Sequence, residues 1–371
     1  MLNFSKTVYI VALLSILMIF AITVVGASRG ELELSAKSWV LLEPQTQTVI
    51  SGSNYNKRMP MASTTKIMTA IVACERLKEN RPFKVPREAV GIEGSSIYLC
   101  EGDEIYTDDL LYSLLLQSAN DAAVALAIAS CGSVDGFCAL MNEKACELGL
   151  TYTHFDNPHG LDSQTHYTTA KELALIAKCA LDNEKIADII SQKSHSFYLN
   201  DKRRVVLNHN KLLWKYDGCN GVKTGYTKKS GRCLVSSAMR EGLELIAVTL
   251  SAPNDWCDHQ SLLDYGFSVY ERRRLTDYIS ELPQIPIIGS KTQALSLKIA
   301  QNGAVTSLDG ISFPSKITSK TKVTLSLPLY KIAGIDEGEH IGELLIYEDD
   351  LLSFKYDIIA AHAVKANKRK A

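Results

Sequence analysis

Residues 107–130 read TDDLLYSLLLQSANDAAVALAIAS, and this stretch carries the strongest structural signal in the chain. Its apolar residues recur at helical spacing and nearly fill the circumference, which predicts a helix buried at the centre of a domain. Polar residues, among them Ser118 and Asn120, interrupt the apolar run. Burying an unpaired polar group costs about 1–3 kcal/mol, so these side chains need partners. A functional site and a helix kink are the two explanations.

The segments around this helix indicate a domain of mixed helices and strands. Strand-like runs at 38–44 and 47–52 precede a helical run at 66–80. Residues 232–253 predict two strands joined at Glu241-Gly242, a hairpin signal. We therefore expect one large domain over residues 28–275.

A second, smaller domain is predicted after a boundary at residues 279–290. That stretch contains Pro283, Pro286 and Gly289, which break regular structure. Short alternating segments follow, which indicates a small β-rich domain over residues 280–358. The basic tail, residues 359–371, is either a solvated terminus or a contact for a membrane surface.

The N-terminus indicates export. Residues 8–27 are nearly all apolar, and roughly 20 such residues at 1.5 Å each would span a bilayer core. Val25 and Ala27 form a small-residue pattern that a signal peptidase could cut. We expect residues 1–27 to be a signal peptide or a retained N-terminal membrane anchor. Either alternative predicts an extracytoplasmic protein, secreted or attached to the outer face of the cytoplasmic membrane.

Composition argues against several functions. Lys and Arg total 40 against 41 Asp and Glu, so no basic field recruits nucleic acid, and zinc-finger spacing is absent. The nine cysteines lack C-x-x-C pairs, and an odd number cannot pair fully within one chain. We expect them to be small buried hydrophobes rather than disulfides or metal ligands. The histidines of residues 153–166 lack H-E-x-x-H, so hydrogen bonding beside the site is their expected role.

The first chemical motif is Ser63-Thr64-Thr65-Lys66. Residues three apart on a helix lie on the same face, so the Lys66 amine can reach the Ser63 hydroxyl. A serine is a weak nucleophile without a neighbouring base. An amine can serve as that base if burial or a second cation lowers its pKa. Taken alone, the motif is common and is better explained by an N-cap serine followed by a surface lysine.

Two further motifs follow in order, Ser118-Ala119-Asn120 and Lys223-Thr224-Gly225. Gly225 would let a substrate backbone approach closely. Lys223 offers a cation and Thr224 a hydroxyl to an anionic ligand. Taken alone, a turn between strands explains the third motif.

Together the three motifs form the signature set of penicillin-binding proteins and class A β-lactamases. Several surrounding segments closely resemble the D-alanyl-D-alanine carboxypeptidase family of low-molecular-mass penicillin-binding proteins, namely residues 60–72, 114–123, 153–162, 208–214, 221–227 and 262–267. The interval between the second and third motifs lacks the E-x-x-L-N glutamate of class A β-lactamases, which disfavours that class. The resemblance covers about residues 35–270.

The resemblance implies an α+β fold: a β-lactamase/transpeptidase-like catalytic domain, an antiparallel sheet with helices, followed by the small β-rich domain. It implies removal of the terminal D-alanine from the pentapeptide of peptidoglycan, with β-lactam antibiotics as inhibitors. No cofactor and no metal are expected. The alternatives are endopeptidase or transpeptidase action on the same scaffold, and a non-catalytic wall-binding protein.

The resemblance also assigns catalytic roles. Ser63 attacks the peptide carbonyl, Lys66 accepts its proton and Ser118 relays a proton to the departing D-alanine. The backbone amides of Ser63 and Tyr226 form the oxyanion hole.

The remaining roles are in substrate binding. Asn120 holds the peptide amide and orients Lys66, while Lys223 and Thr224 bind the terminal carboxylate beside Gly225.

One departure from the family pattern concerns the substrate carboxylate. Many members carry an arginine where this chain reads SAPNDWCDHQSLLDYGF, residues 251–267, which contains none. Lys223 is therefore the expected cation for the carboxylate. His259 is either a helper or an exposed loop histidine.

Overall fold

The computed structural model describes residues 32–301 and 304–367. The apolar segment at 8–27 and the last basic residues, 368–371, lie outside the described residues. In the described part no single helix is long and apolar enough to cross a membrane. The helices Asn120–Cys131 and Val134–Glu147 meet that test only as a pair bent by 85°. Ala36–Ala371 forms one compact unit, so the division at 275–280 stays a prediction.

The α-helices lie between residues 66 and 269. They are α1 (Lys66–Arg76), α2 (Thr107–Leu115), α3 (Asn120–Cys131), α4 (Val134–Glu147), α5 (Ala170–Leu181), α6 (Glu184–Ser191), α7 (Leu212–Lys215) and α8 (Asp255–Val269). The described residues up to 250 also form nine strands. They are β1 (Ser38–Glu43), β2 (Thr48–Ser53), β3 (Pro82–Lys84), β4 (Glu104–Tyr106), β5 (Ser194–Leu199), β6 (Lys202–Leu207), β7 (Cys219–Thr227), β8 (Gly231–Arg240) and β9 (Leu243–Leu250).

Five of these strands form the central sheet, in the order β2-β1-β9-β8-β7, and every neighbouring pair is antiparallel. The predicted strands at 38–44 and 47–52 and the hairpin at Glu241-Gly242 are confirmed. Helices pack against this sheet around one large apolar core. The expected α+β fold, an antiparallel sheet with helices, is therefore confirmed. Strand β7 lies at the edge of the sheet, where one side remains open to a ligand.

The single helix expected over residues 107–130 is two helices. α2 ends at Leu115 and α3 begins at Asn120, and Ser118 between them has a left-handed φ of 62°. A non-glycine residue in that conformation costs on the order of 1–3 kcal/mol and persists where its surroundings hold it. The expected burial is correct, because residues 119–127 are all buried. The break turns the Ser118 side chain away from the helical path.

The chain after α8 is rich in short strands. They are β10 (Tyr270–Arg274), β11 (Ile285–Ile288), β12 (Ala294–Leu295), β13 (Leu297–Gln301), β14 (Ala304–Thr306), β15 (Ser312–Lys316), β16 (Thr321–Ser326), β17 (Lys331–Ile332), β18 (His340–Glu348) and β19 (Leu351–Ala360). Five of them form an antiparallel sheet in the order β14-β13-β19-β18-β16. This sheet has its own apolar core, which includes Phe313 and Ile358.

The β structure extends past both predicted limits of the small domain. β10 begins at residue 270 and pairs with β15. At the other limit β19 runs to Ala360, and Val364 pairs with Ile335. The predicted tail over 359–371 therefore starts too early, because its first residues are held by backbone hydrogen bonds.

All nine cysteines are unpaired in the structure. Cys74, Cys138 and Cys233 are buried, as expected of small hydrophobes. Four others are exposed, namely Cys100, Cys131, Cys146 and Cys257. The expectation that the cysteines are buried is therefore wrong for these four.

Candidate active site

Ser63 and Lys66 meet where the chain enters α1. A 3₁₀ turn, Ala62–Thr65, carries Ser63, and Lys66 is the first residue of the α-helix. The Lys66 Nζ lies 3.0 Å from the Ser63 Oγ. Lys66 has no exposed surface at all, so the surface-lysine explanation of the motif is wrong. The structure thus brings together the two side chains that the sequence predicts to be the nucleophile and its base.

Three oxygen atoms surround the Lys66 amine. Its Nζ donates to the Asn120 Oδ1 at 2.6 Å and to the His159 carbonyl oxygen at 2.5 Å. Both oxygens are pure acceptors, so they take the two N–H groups of an uncharged amine. The third polar neighbour is the Ser63 hydroxyl, whose oxygen accepts from the Lys66 Nζ; when the amine is neutral, the same contact lets the hydroxyl donate to the nitrogen lone pair. The site is therefore arranged for transfer of the Ser63 proton to Lys66.

Electrostatics favour the same state. Burial lowers the pKa of Lys66 well below its ordinary value, and the charge of Lys223 lowers it further. Asp121 acts in the opposite direction. A buried ammonium is costly because the surrounding protein hydrates it poorly. The neutral form of Lys66, which can accept a proton, is therefore favoured over that of an ordinary lysine.

Ser118 and Asn120 come from the break between α2 and α3. Asn120 donates through its Nδ2 to the Glu93 carbonyl oxygen at 2.5 Å, while its Oδ1 accepts from Lys66. This pair of bonds fixes the amide and supports the expected role of orienting Lys66. The contact of Asn120 with a peptide amide stays a prediction. Ser118 is 5% exposed and lines the same pocket as Ser63.

Lys223 lies deeper than expected for a carboxylate ligand. It is 1% exposed, and its Nζ donates to the Thr224 carbonyl oxygen at 2.9 Å. Burial lowers the pKa of Lys223 to about 7. Thr224 and Tyr226, by contrast, line the pocket.

Gly225 makes room for the catalytic turn itself. A Cβ at this position would lie 3.0 Å from the Ser63 backbone nitrogen and 3.1 Å from that of Thr64. The sequence interpretation, space for a substrate backbone, stays a prediction, since Gly225 also lines the pocket. The absent side chain lets β7 approach the start of α1. Gly160 also lies close to this turn, since a Cβ there would lie 2.0 Å from the Ala62 carbonyl oxygen.

The histidine-rich loop supports this turn through hydrogen bonds. The His166 Nδ1 accepts from the Asp156 backbone N–H at 3.0 Å, so the Nε2–H donates to the Thr65 Oγ1 at 2.7 Å. Burial lowers the pKa of His166 to about 4, which keeps the ring neutral. Within residues 32–301 and 304–367, no group of His, Cys, Asp or Glu has the arrangement of a metal site.

The pocket has a volume of about 340 Å³. It is lined by Ser63, Ser95, Ser118, His209, Lys211, Thr224, Gly225, Tyr226, Arg232, Asp255 and Trp256. A larger cavity, of about 640 Å³, lies near residues 239–243 and contains none of the motif residues. The small pocket is therefore the candidate active site.

Both interpretations of His259 are wrong. It is fully buried on α8, where its Nδ1 contacts the Ser236 hydroxyl at 2.5 Å and its Nε2 the Thr249 hydroxyl at 2.9 Å. The sequence reasoning also missed Arg232, which lines the pocket from the start of β8. The one signal in the sequence was its position six residues after Tyr226, just beyond the turn at Lys229.

A serine paired with a buried lysine, in a cleft at the edge of an antiparallel sheet, defines an enzyme that transfers acyl groups through its serine. Residues 24–254 match the family model described as D-alanyl-D-alanine carboxypeptidase. The chain belongs to this family.

Two relatives illustrate the similarity. The chain is 32% identical over 336 residues to the D-alanyl-D-alanine carboxypeptidase DacF of Bacillus subtilis. The aligned region covers 87% of this chain and 84% of that protein. It is 34% identical over 253 residues to DacC of Escherichia coli, with 64% of this chain and 62% of that protein covered. The chain thus spans less than two thirds of the second relative.

Solved structures agree on the fold. Penicillin binding protein 5 from Haemophilus influenzae matches with a TM-score of 0.72 and 25% identity, over 91% of this chain and 100% of that one. The S96A mutant of the Streptomyces K15 DD-transpeptidase matches with a TM-score of 0.62 and 29% identity, over 64% of this chain and 100% of that one.

The charge of Lys223 should be visible in the pH dependence of acylation. Lys66 must be neutral to accept a proton, so the rate falls as the pH drops below its pKa. Lys223→Gln removes a cation that lowers this pKa, so the pKa of Lys66 should rise. We expect the acidic limb of the profile of acylation rate against pH to move to higher pH in Lys223→Gln. The rates of each protein are normalised to its own plateau before the profiles are compared.

The exposed Lys228 provides the control, since Lys228→Gln leaves the buried pair intact. An acidic limb at the same pH in Lys223→Gln and in the parent would contradict the electrostatic coupling of the two lysines.

Proposed function

We propose that this chain is a serine carboxypeptidase that removes the terminal D-alanine from peptidoglycan stem peptides through an acyl-enzyme on Ser63. The observation that carries the proposal is the environment of Lys66. Its two N–H groups meet carbonyl oxygens, and the remaining direction leads to the Ser63 hydroxyl 3.0 Å away. A serine with such a partner is activated for attack on a carbonyl carbon.

In the acylation step, the Ser63 Oγ bonds to the carbonyl carbon between the two D-alanines, and the Ser63 proton passes to Lys66. The backbone amides of Ser63 and Tyr226 stabilise the oxyanion, at about 3–4 kcal/mol for one such donor. The carbon–nitrogen bond then breaks. Ser118 relays a proton from the Lys66 side of the pocket to the departing amine of D-alanine.

Water completes the cycle. Its oxygen attacks the ester carbon of the acyl-enzyme while one of its protons passes to the neutral Lys66 amine. Lys66 then gives that proton to the Ser63 oxygen as the bond between this oxygen and the ester carbon breaks. β-Lactams imitate the D-alanyl-D-alanine end and acylate the same serine, but their adducts leave slowly. These steps require only side chains and backbone groups of the chain.

The open edge of β7 supports the binding of an extended peptide. An edge strand presents N–H and C=O groups that a bound peptide can pair with. In the described part of the chain, β7 has one neighbour in the sheet, β8. A peptide lying along residues 224–226 would bring its scissile bond beside Ser63.

Transpeptidation is a second candidate, and the likeness to the Streptomyces K15 DD-transpeptidase favours it. Both reactions share the acyl-enzyme and differ in whether water or an amine takes the acyl group. The extracytoplasmic location follows from the cell-wall substrate and from the apolar segment at 8–27. Attachment to the membrane through that segment is part of the same proposal.

The reaction is tested by mixing the purified chain with a peptide ending in D-alanyl-D-alanine, with and without an acceptor amine. We expect free D-alanine together with the shortened peptide, even when the amine is present. An aminolysis product as the main outcome would favour the transpeptidase. The absence of D-alanine release under both conditions would overturn the proposed function.

A further inference from the structure

The proposed substrate ends in a carboxylate, and burying an anion without a partner is prohibitively costly. A cation must therefore reach the pocket beside Ser63. The segment 251–267, where an arginine was expected, contains none. Besides Lys66, the proposed base, four basic residues lie near the cleft: Lys223, His209, Lys211 and Arg232.

Three of these four fit the role poorly. Lys223 is buried and is not among the residues that line the pocket. Its ammonium already donates to the Thr224 carbonyl oxygen. Burial lowers the pKa of His209, so its ring is neutral at physiological pH. Lys211 is exposed, and a long exposed side chain loses much conformational entropy when it is fixed.

Arg232 is built into the pocket by the register of the sheet. It is the cross-strand partner of Tyr226, and Thr224 lies two residues from Tyr226 on β7. Alternation along the strands puts these three residues on one face. Gly225 and Cys233 occupy the other face, towards Ser63 and Pro60. A diagonal pair such as Thr224 and Arg232 is roughly 7–8 Å apart, which an arginine side chain spans.

The guanidinium of Arg232 is held in a fixed orientation. Its Nε and its Nη2 both lie 2.9 Å from the Asp255 Oδ1. Its Cζ lies 5.7 Å from the centre of the Trp256 ring. Asp255 is 2% exposed, whereas the Arg232 side chain is 42% exposed. The anchor is thus buried and the guanidinium remains open to the pocket.

One side of the guanidinium remains for a ligand. Asp255 uses the edge formed by Nε and Nη2, and the end formed by the two terminal nitrogens matches a second carboxylate in a bidentate geometry. A planar guanidinium stays charged at every pH of interest. The Thr224 hydroxyl can donate a further hydrogen bond from the neighbouring strand.

We infer that Arg232, oriented by Asp255 and Trp256, binds the free carboxylate at the C-terminus of the peptide together with Thr224. This inference rests on the proposed function and adds to it a residue that selects substrates with a free carboxylate. It replaces the earlier assignment of that carboxylate to Lys223. A peptide whose chain continues past the second D-alanine has no anion for this site.

The test measures binding in a Ser63→Ala background, so that it does not depend on turnover. Two peptides are compared, one ending in D-alanyl-D-alanine as the free acid and one with that carboxylate amidated. We expect the free acid to bind more tightly. Adding Arg232→Gln should weaken the binding of the free acid by about 10- to 150-fold, the range for losing a hydrogen bond to a charged group. The binding of the amidated peptide should be nearly unaffected.

Arg240 provides a matched control at the other end of β8. It also contacts aromatic rings, Tyr216 and Phe267, and an acidic residue, Asp264, but it lies outside the pocket. Arg240→Gln should leave the preference for the free acid unchanged. Arg232→Gln leaves Asp255 buried without its partner, so the double variant Arg232→Gln/Asp255→Asn is measured as well, with the same selective loss expected.

The assignment would be overturned if Arg232→Gln weakened the binding of the acid and of the amide equally, or weakened neither. If Lys223→Gln or Lys211→Gln selectively weakened the binding of the free acid and Arg232→Gln did not, that lysine would be the residue that binds the carboxylate. The proposed function fails separately, if the parent chain releases no D-alanine. The binding comparison is decisive in either case.

Discussion

Ser63→Ala is expected to abolish both penicillin labelling and D-alanine release, the largest effect of any substitution considered. In the proposed mechanism the Ser63 Oγ forms the covalent bond, and alanine has no atom to replace it. Incubation with a β-lactam followed by intact mass spectrometry should give one adduct on the parent chain and none on the variant. The fold should persist, because the hydroxyl faces the pocket rather than the core.

Two comparisons make the assignment specific. Ser261→Ala removes an exposed serine on α8 and should label like the parent. Ser118→Ala removes the proposed relay and should still label, but slowly. An adduct that persists in Ser63→Ala would show that another residue is the nucleophile, and Ser118 would be the first candidate.

Lys66→Ala should slow acylation by about 10²–10⁴, the usual range for a positioned acid–base group. Lys66→Arg should be no better, because a guanidinium cannot deprotonate and so cannot accept the Ser63 proton. Rates of adduct formation measured by stopped reaction and mass spectrometry would give both values. Near-normal acylation by Lys66→Arg would show that a cation, not a base, is what Ser63 requires.

The Lys66 variants also test how the amine is positioned. Lys66 is buried and bonded to Asn120 and His159, so Lys66→Ala leaves two carbonyl oxygens without a donor. Each such loss costs about 1–3 kcal/mol, and the melting temperature should fall. A large drop in acylation without loss of the folded state separates the chemical role from the structural one.

Local patterns in the sequence were sufficient for the outline of this protein. The alternation around Glu241-Gly242 predicted the β8–β9 hairpin, because strand periodicity and turn chemistry are both local. The three motifs predicted which side chains would meet, since the resemblance supplied their roles. The structure brings Ser63, Lys66 and Asn120 together as expected.

The features that sequence reasoning missed are set by tertiary contacts. Helical periodicity continues through residues 107–130, so the local pattern does not predict the left-handed conformation of Ser118 that breaks the helix. His259 lies in a segment that looks like a loop but folds into α8, where Ser236 and Thr249 bind its ring.

Arg232 illustrates the same limit within the site. Its partner Asp255 is 23 residues away on another element, so the pair emerges only when β8 and α8 pack together. The approach of Gly225 to the Ser63 turn is equally non-local. Sequence spacing predicted the chemistry of the motifs, while the residues that hold them in place required the fold.

The most direct test of the account is to trap the intermediate with the substrate itself. The parent chain, quenched in acid while it turns over a peptide ending in D-alanyl-D-alanine, is digested and mapped by mass spectrometry. We predict that the fragment containing Ser63 carries the peptide minus its terminal D-alanine, and that Lys66→Ala accumulates much less of it. Release of D-alanine with no adduct on Ser63 at any quench time would mean that water attacks the peptide directly, and would contradict the account.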